Sequence, residues 1–131
     1  MVVTPFYAAV LALLFFVLSV RTLRLRRDLQ IAIGDSGDDR MLRAMRVHAN
    51  FAEYVPITLL LIFMLESQGT SVMLIHGWCN CLIVGRLSHA YGVSQSPENF
   101  RFRVFGMALT FTAMVGAAIS LLLSYGSGLL A

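Results

Sequence analysis

Four mostly apolar stretches alternate with short polar segments along the chain. Residues 1–20, 67–85 and 104–131 carry no charged side chain, and each run is close to or longer than the roughly 18 to 20 residues that cross a bilayer. The fourth run, residues 54–65, becomes long enough only when the polar residues before it are included. The pattern predicts membrane-spanning helices over residues 5–27, 40–66, 72–91 and 98–123.

The composition agrees with a membrane protein, because only 13% of the residues are charged and 58% are hydrophobic, whereas a soluble domain has about 25% charged residues. Arginines follow the first apolar run instead of preceding it, so we interpret this run as a retained span and not as a signal peptide. We therefore predict an all-α integral membrane four-helix bundle that forms a single domain over residues 1–131.

The basic residues indicate the orientation of this bundle. All ten are arginines, and they lie at the helix ends next to the segments 28–39 and 92–97. The positive-inside rule places these two segments in the cytoplasm and both termini on the opposite side. Basic residues at span ends do not form a soluble basic surface, which argues against nucleic-acid binding.

Local signals suggest how the helices begin and pack. Ser96-Pro97-Glu98 is typical of a helix start, with Ser96 as the cap and Pro97 at the first position. Gly77, Cys81 and Gly85 recur every four residues, and such a row of small residues permits close helix packing in membranes.

The second predicted span carries an unusual polar stripe. At 100° per residue, its polar side chains fall within an arc of about 100° on one face; they are Arg43, Arg46, Asn50, Glu53 and Tyr54. Ionisable groups at membrane depth usually face a protein interior or a wet cavity, and they suggest a functional site. Glu53 can neutralise one of the arginines.

The other spans bring more polar residues to the same half of the membrane. These are Arg21 or Arg24, then Arg86, His89 and Tyr91, and finally Arg101 or Arg103. The surplus of arginine favours a ligand that bears a carboxylate or a thiolate. Glutathione has both groups, but an anionic lipid fits the composition equally well.

Residues 43–56 resemble a known signature. The pattern Arg-x-x-Arg-x-His-x-Asn-x-x-Glu-Tyr-x-Pro is similar to that of the MAPEG superfamily, the membrane-associated proteins of eicosanoid and glutathione metabolism. The segment Gly-Arg-Leu-x-His-Ala at residues 85–90 and the overall length resemble the short bacterial inner-membrane branch. This resemblance implies a homotrimer that binds glutathione between neighbouring subunits on the cytoplasmic side.

The resemblance also implies roles for individual residues. By motif position, Arg46, Asn50, Glu53 and Tyr54 match glutathione contacts, Arg43 opens the motif, and Arg21 or Arg24 joins from the first span. An arginine near the start of the fourth span, Arg101 or Arg103, would stabilise the thiolate. The chain departs from the family pattern at Leu42, where an acidic residue is common, and at His89, where tyrosine is common. Tyr91 only approximately represents a second tyrosine, so His89 and Tyr91 are candidate contacts.

These observations lead to two hypotheses of different classes. In the first, the protein is a glutathione transferase or peroxidase that acts on lipophilic electrophiles from the bilayer, with glutathione as co-substrate and without a metal. In the second, it is a non-catalytic membrane trimer that binds an anionic lipid or supports assembly, with its polar stripe satisfied internally. We expect His48 to form a packing hydrogen bond; a metal or haem held by His48 and His89 is the less favoured alternative.

Overall fold

The computed structural model describes residues 2–129, which form four α-helices joined by short loops. The helices are α1 (Thr4–Leu29), α2 (Asp39–Ser67), α3 (Val72–Ser94) and α4 (Phe100–Leu129). No strand occurs in this part of the chain, and the predicted all-α bundle is confirmed. Residues 1, 130 and 131 of the predicted domain lie outside the described residues.

By length and hydropathy, α1, α2 and α4 can each cross a membrane, and the chain is an integral membrane protein. The 23 residues of α3 span about 35 Å, but polar residues along its length, such as Asn80 and Arg86, lower its hydropathy. That α3 also crosses the bilayer stays a prediction.

Helices α3 and α4 come into close backbone contact at glycine residues. A Cβ atom on Gly106 would lie 2.6 Å from the Gly85 carbonyl oxygen and against the backbone of His89. Within one subunit the predicted packing row does not extend to Gly77, where an added Cβ atom would meet no atom of another helix within 4 Å. The adjacent Trp78 faces α4 instead and covers Gly116 with its ring, so Gly77 points away from this contact.

Polar contacts attach α1 to its neighbours. The Glu66 carboxylate accepts hydrogen bonds from the backbone N–H groups of Val3 and Thr4, the latter at 2.9 Å, and so caps the start of α1. The His48 Nε2 atom lies 3.0 Å from the Ser19 hydroxyl, and its ring stacks on Phe15. The predicted packing role of His48 is therefore confirmed.

The start of α4 differs from the prediction. The helix begins at Phe100, and the Asn99 side chain accepts a hydrogen bond from the Phe102 backbone N–H at 3.4 Å. The predicted start at Ser96-Pro97-Glu98 is wrong, because Asn99 supplies the capping oxygen in place of Ser96. Glu98 consequently lies in the loop between α3 and α4.

Candidate functional site

A cavity of about 410 Å³ opens between α2, α3 and the beginning of α4. One face of α2 supplies most of its lining, at the spacing of three and four residues that places side chains on one side of a helix. These residues are Asp39, Leu42, Arg43, Arg46, Ala49, Asn50 and Glu53. The remaining lining residues come from the other elements and are His89, Val93, Glu98 and Arg103.

Two of the cavity arginines are paired with carboxylates. The Arg43 guanidinium lies 3.6 Å from Asp39, and the Arg103 guanidinium lies 2.8 Å from Glu98. Sequence reasoning proposed Glu53 as the neutralising partner and did not identify Asp39 or Glu98 in this role. Within residues 2–129, Glu53 forms no ion pair.

Arg46 and Glu53 therefore remain as one cation and one anion without a partner. Both are exposed and line the cavity, and neither forms a hydrogen bond or ion pair with another described residue. They are separated by two turns of α2, about 10 Å along the helix. The cavity can thus receive a positive and a negative ligand group at separate positions.

Arg86 joins the three helices behind the cavity. Its side chain is only 1% exposed, and its Nη1 atom donates to the Asn50 amide oxygen at 2.7 Å. Its Nε and Nη2 atoms donate to the Thr110 hydroxyl oxygen at 2.9 and 2.6 Å. No carboxylate among the described residues pairs with it, so the guanidinium is stabilised only by hydrogen bonds to neutral acceptors.

Sequence reasoning placed Arg86 in the same half of the membrane as the polar stripe of α2 but did not include it among the site residues. A signal was present, since Arg86 precedes His89 by three residues and therefore shares a helix face with it. His89 is itself buried and lines the cavity. In the part of the chain that the structure describes, its ring nitrogens form no hydrogen bond.

Several predicted residues lie elsewhere in the subunit. Arg21 and Arg24 line a separate groove of about 640 Å³ along α1, where Arg21 also donates to the Ser94 hydroxyl at 2.6 Å. Tyr91 and Arg101 line a hollow beside the loop before α4. Tyr54 packs edge-on against a ring of α4 and is not a lining residue of the cavity.

The loop before α2 carries its own electrostatic feature. The Asp38 carboxylate caps the helix by accepting from the backbone N–H groups of Arg40 and Met41, and it pairs with the Arg40 guanidinium at 3.0 Å. The hydrogen bond from the Arg40 side chain, followed by that from the Met41 backbone, holds the pKa of Asp38 below its usual range. This carboxylate anchors the α2 end that borders the cavity.

The described residues contain no cluster of histidine, cysteine and carboxylate side chains that could hold a metal ion. The cavity has a volume in the range of small-molecule pockets, and its lining includes charged side chains of both signs.

Comparison with known proteins adds an independent finding. The sequence profile of the MAPEG family matches residues 4–123. Two similar proteins are inner membrane protein YecN from Escherichia coli K12 and from E. coli O6:H1, each 35% identical over 113 residues, which cover 86% of this chain and 85% of the relative. No solved structure matches at a significant level.

Proposed function

The chain belongs to the MAPEG family and is an integral protein of the inner membrane, and we propose that it binds glutathione and activates its thiol towards lipophilic electrophiles. The first step is binding in the cavity on α2. The second is attack of the thiolate on a substrate that enters from the bilayer.

The unpaired Arg46 and Glu53 are the observation that carries this proposal. Glutathione has one ammonium and two carboxylate groups at neutral pH, so it can pair with both side chains. An anionic lipid offers partners for Arg46 but leaves Glu53 facing further negative charge. A ligand of mixed charge is therefore a better fit to the cavity than a purely anionic one.

Arg103 is the candidate for thiol activation because it lines the same cavity, whereas Arg101 does not. A guanidinium beside a thiol favours the thiolate, which is the nucleophilic form. In conjugation, the sulfur forms a bond to the electrophilic carbon, the leaving group departs with its electron pair, and the thiol proton passes to solvent.

We further propose that the complete site is shared between the subunits of a homotrimer. The groove that contains Arg24 and the cavity that contains Arg46 have no lining residue in common. An arginine of α1 from a neighbouring subunit would then complete the site, and cyclic head-to-tail assembly would place the two surfaces together.

Binding by the detergent-solubilised protein tests the proposal. We expect glutathione to raise the melting temperature, and both Arg46→Ala and Glu53→Gln to weaken binding by about 10- to 100-fold, since a hydrogen bond to a charged group contributes about 1.5–3 kcal/mol. Arg27→Ala, an exposed arginine outside the cavity, is the control. Glutathione that leaves the melting temperature unchanged would contradict the proposal.

The enzyme step needs its own assay, with chlorodinitrobenzene and with an organic hydroperoxide as second substrates. Arg103→Ala should lose turnover while retaining most of the glutathione binding. Binding without turnover across a broad electrophile panel would leave a glutathione-binding protein and exclude the catalytic part.

The second candidate, an anionic-lipid-binding membrane trimer, is favoured by the α1 groove. There, Phe16, Val17 and Val20 provide an apolar surface beside Arg24, which suits an acyl chain and its headgroup. Stabilisation by phosphatidylglycerol but not by glutathione, with Glu53→Gln neutral or favourable, would support this function.

A further inference from the structure

The orientation of the Asn50 amide is determined by Arg86. The amide oxygen accepts from the Arg86 Nη1 atom at 2.7 Å, and guanidinium nitrogens can only donate. An amide rotated by half a turn would place its NH₂ group against these donors and lose the hydrogen bond. We propose that Arg86 is a positioning residue that fixes Asn50 so that the amide offers only N–H donors to the cavity.

Arg86 is itself held by a directional chain of hydrogen bonds from α4. The Thr110 hydroxyl donates to the Gly106 carbonyl oxygen at 2.8 Å, so its oxygen is left to accept from Arg86 at 2.9 and 2.6 Å. Gly106 is in direct backbone contact with α3. Through Thr110 and Arg86, the Gly106 carbonyl of α4 therefore determines which side of the Asn50 amide faces the cavity.

This arrangement determines which ligand group can lie against Asn50. The group must accept a hydrogen bond. A negative charge is favoured because the buried Arg86 guanidinium forms no ion pair with a carboxylate of residues 2–129. A carboxylate, a thiolate or a peptide carbonyl meets this condition, whereas an ammonium group does not. On the proposed function, Asn50 therefore contacts an acceptor of glutathione, and the ammonium lies nearer to Glu53.

Asn50→Asp separates a positioning role from a purely structural one. Aspartate keeps the size of the side chain and gives Arg86 a counterion, so the melting temperature should be unchanged or higher. It also replaces the N–H donor by an acceptor, so glutathione binding should weaken at least tenfold. Gln68→Glu in the turn after α2, which makes the same charge change at an exposed side chain outside the cavity, should bind glutathione as the wild type does.

Two results would overturn the inference: Asn50→Asp that binds glutathione as tightly as the wild type, or a melting temperature that falls together with the binding. If wild-type protein fails to bind glutathione at all, the proposed function fails, while a melting temperature of Asn50→Asp at or above that of the wild type still supports the Arg86–Asn50 orientation.

Substitution of Arg86 provides a second measurement. Arg86→Lys keeps a donor towards Asn50 and should retain more binding than Arg86→Met, which has none. If Arg86→Met folds and binds glutathione with wild-type affinity, the inference is also overturned. If Arg86→Met does not fold, the Asn50→Asp measurements decide the question.

Discussion

The Arg103 guanidinium donates to the Glu98 carboxylate at 2.8 Å, at the edge of the cavity. Arg103 is the proposed stabiliser of the glutathione thiolate, so Glu98 competes with the thiolate for the same charge. On the proposed function, the loop before α4 would therefore limit thiol activation, a role separate from the helix start that the sequence predicted at Ser96-Pro97-Glu98.

Glu98→Gln removes this competing charge. We expect the pKa of bound glutathione to fall relative to the wild-type complex, because more of the Arg103 field acts on the sulfur. The ultraviolet absorbance of the thiolate, followed across pH, measures this change. Asp35→Asn in the loop before α2 is the control, and an unchanged or raised thiol pKa in Glu98→Gln would show that Glu98 does not restrain Arg103.

Gly106→Ala should disrupt the contact between α3 and α4. The added Cβ atom would meet the Gly85 carbonyl oxygen at 2.6 Å as well as the His89 backbone, and these helix backbones can move little. Overpacking of this kind costs about 1–3 kcal/mol, which thermal unfolding in detergent would detect. Gly77→Ala has open space around it and should be neutral or slightly stabilising; equal losses in both variants would contradict this explanation.

Mixed assembly tests the shared site. A trimer made only of Arg24→Ala subunits, or only of Arg46→Ala subunits, should bind glutathione weakly. Co-expressed in equal amounts, they should regain wild-type binding at roughly one site in four, because each site takes its two halves from different subunits. Binding titration with glutathione measures the recovered fraction. No recovery in confirmed mixed trimers would show that one subunit contains both arginines of a site.

Asp38 predicts a pH dependence of stability. The Arg40 side chain and the Met41 backbone lower the pKa of Asp38 in the folded protein. The charged carboxylate therefore stabilises the fold at pH values above the usual pKa of a carboxyl group, and this contribution is lost as the pH falls through the lower folded pKa. Asp38→Asn keeps a capping oxygen but has no charge. The wild type should therefore be more stable at neutral pH and approach the variant in acid. A difference in unfolding temperature that stays constant with pH would argue against the charge effect.

The polar face of α2 could be predicted because its residues belong to one helix. Once that helix is recognised, the spacing of Arg43, Arg46, Asn50 and Glu53 already places them together, and the structure shows all four lining one cavity. The family signature covers the same positions. Helix periodicity is a local property, so it needs no knowledge of how α2 packs.

Glu98 could not be assigned in the same way. A helix starting at Glu98 would place it about 140° from Arg103, five residues later, and the two side chains would diverge. The structure starts α4 at Phe100, which frees Glu98 to turn back towards Arg103. A shift of two residues in a helix start thus creates an ion pair that periodicity excludes.

The sequence by itself determined that the chain is a four-helix membrane protein of the MAPEG family and that one face of α2 is polar. These features follow from hydropathy, helix periodicity and a contiguous motif, all of which are read along the chain. Only the tertiary structure decided that Arg86 holds Asn50, that Glu98 holds Arg103, and that Arg24 lies outside the cavity. Each of these relationships joins residues of different helices or loops, and their distances depend on helix packing and on where each helix begins.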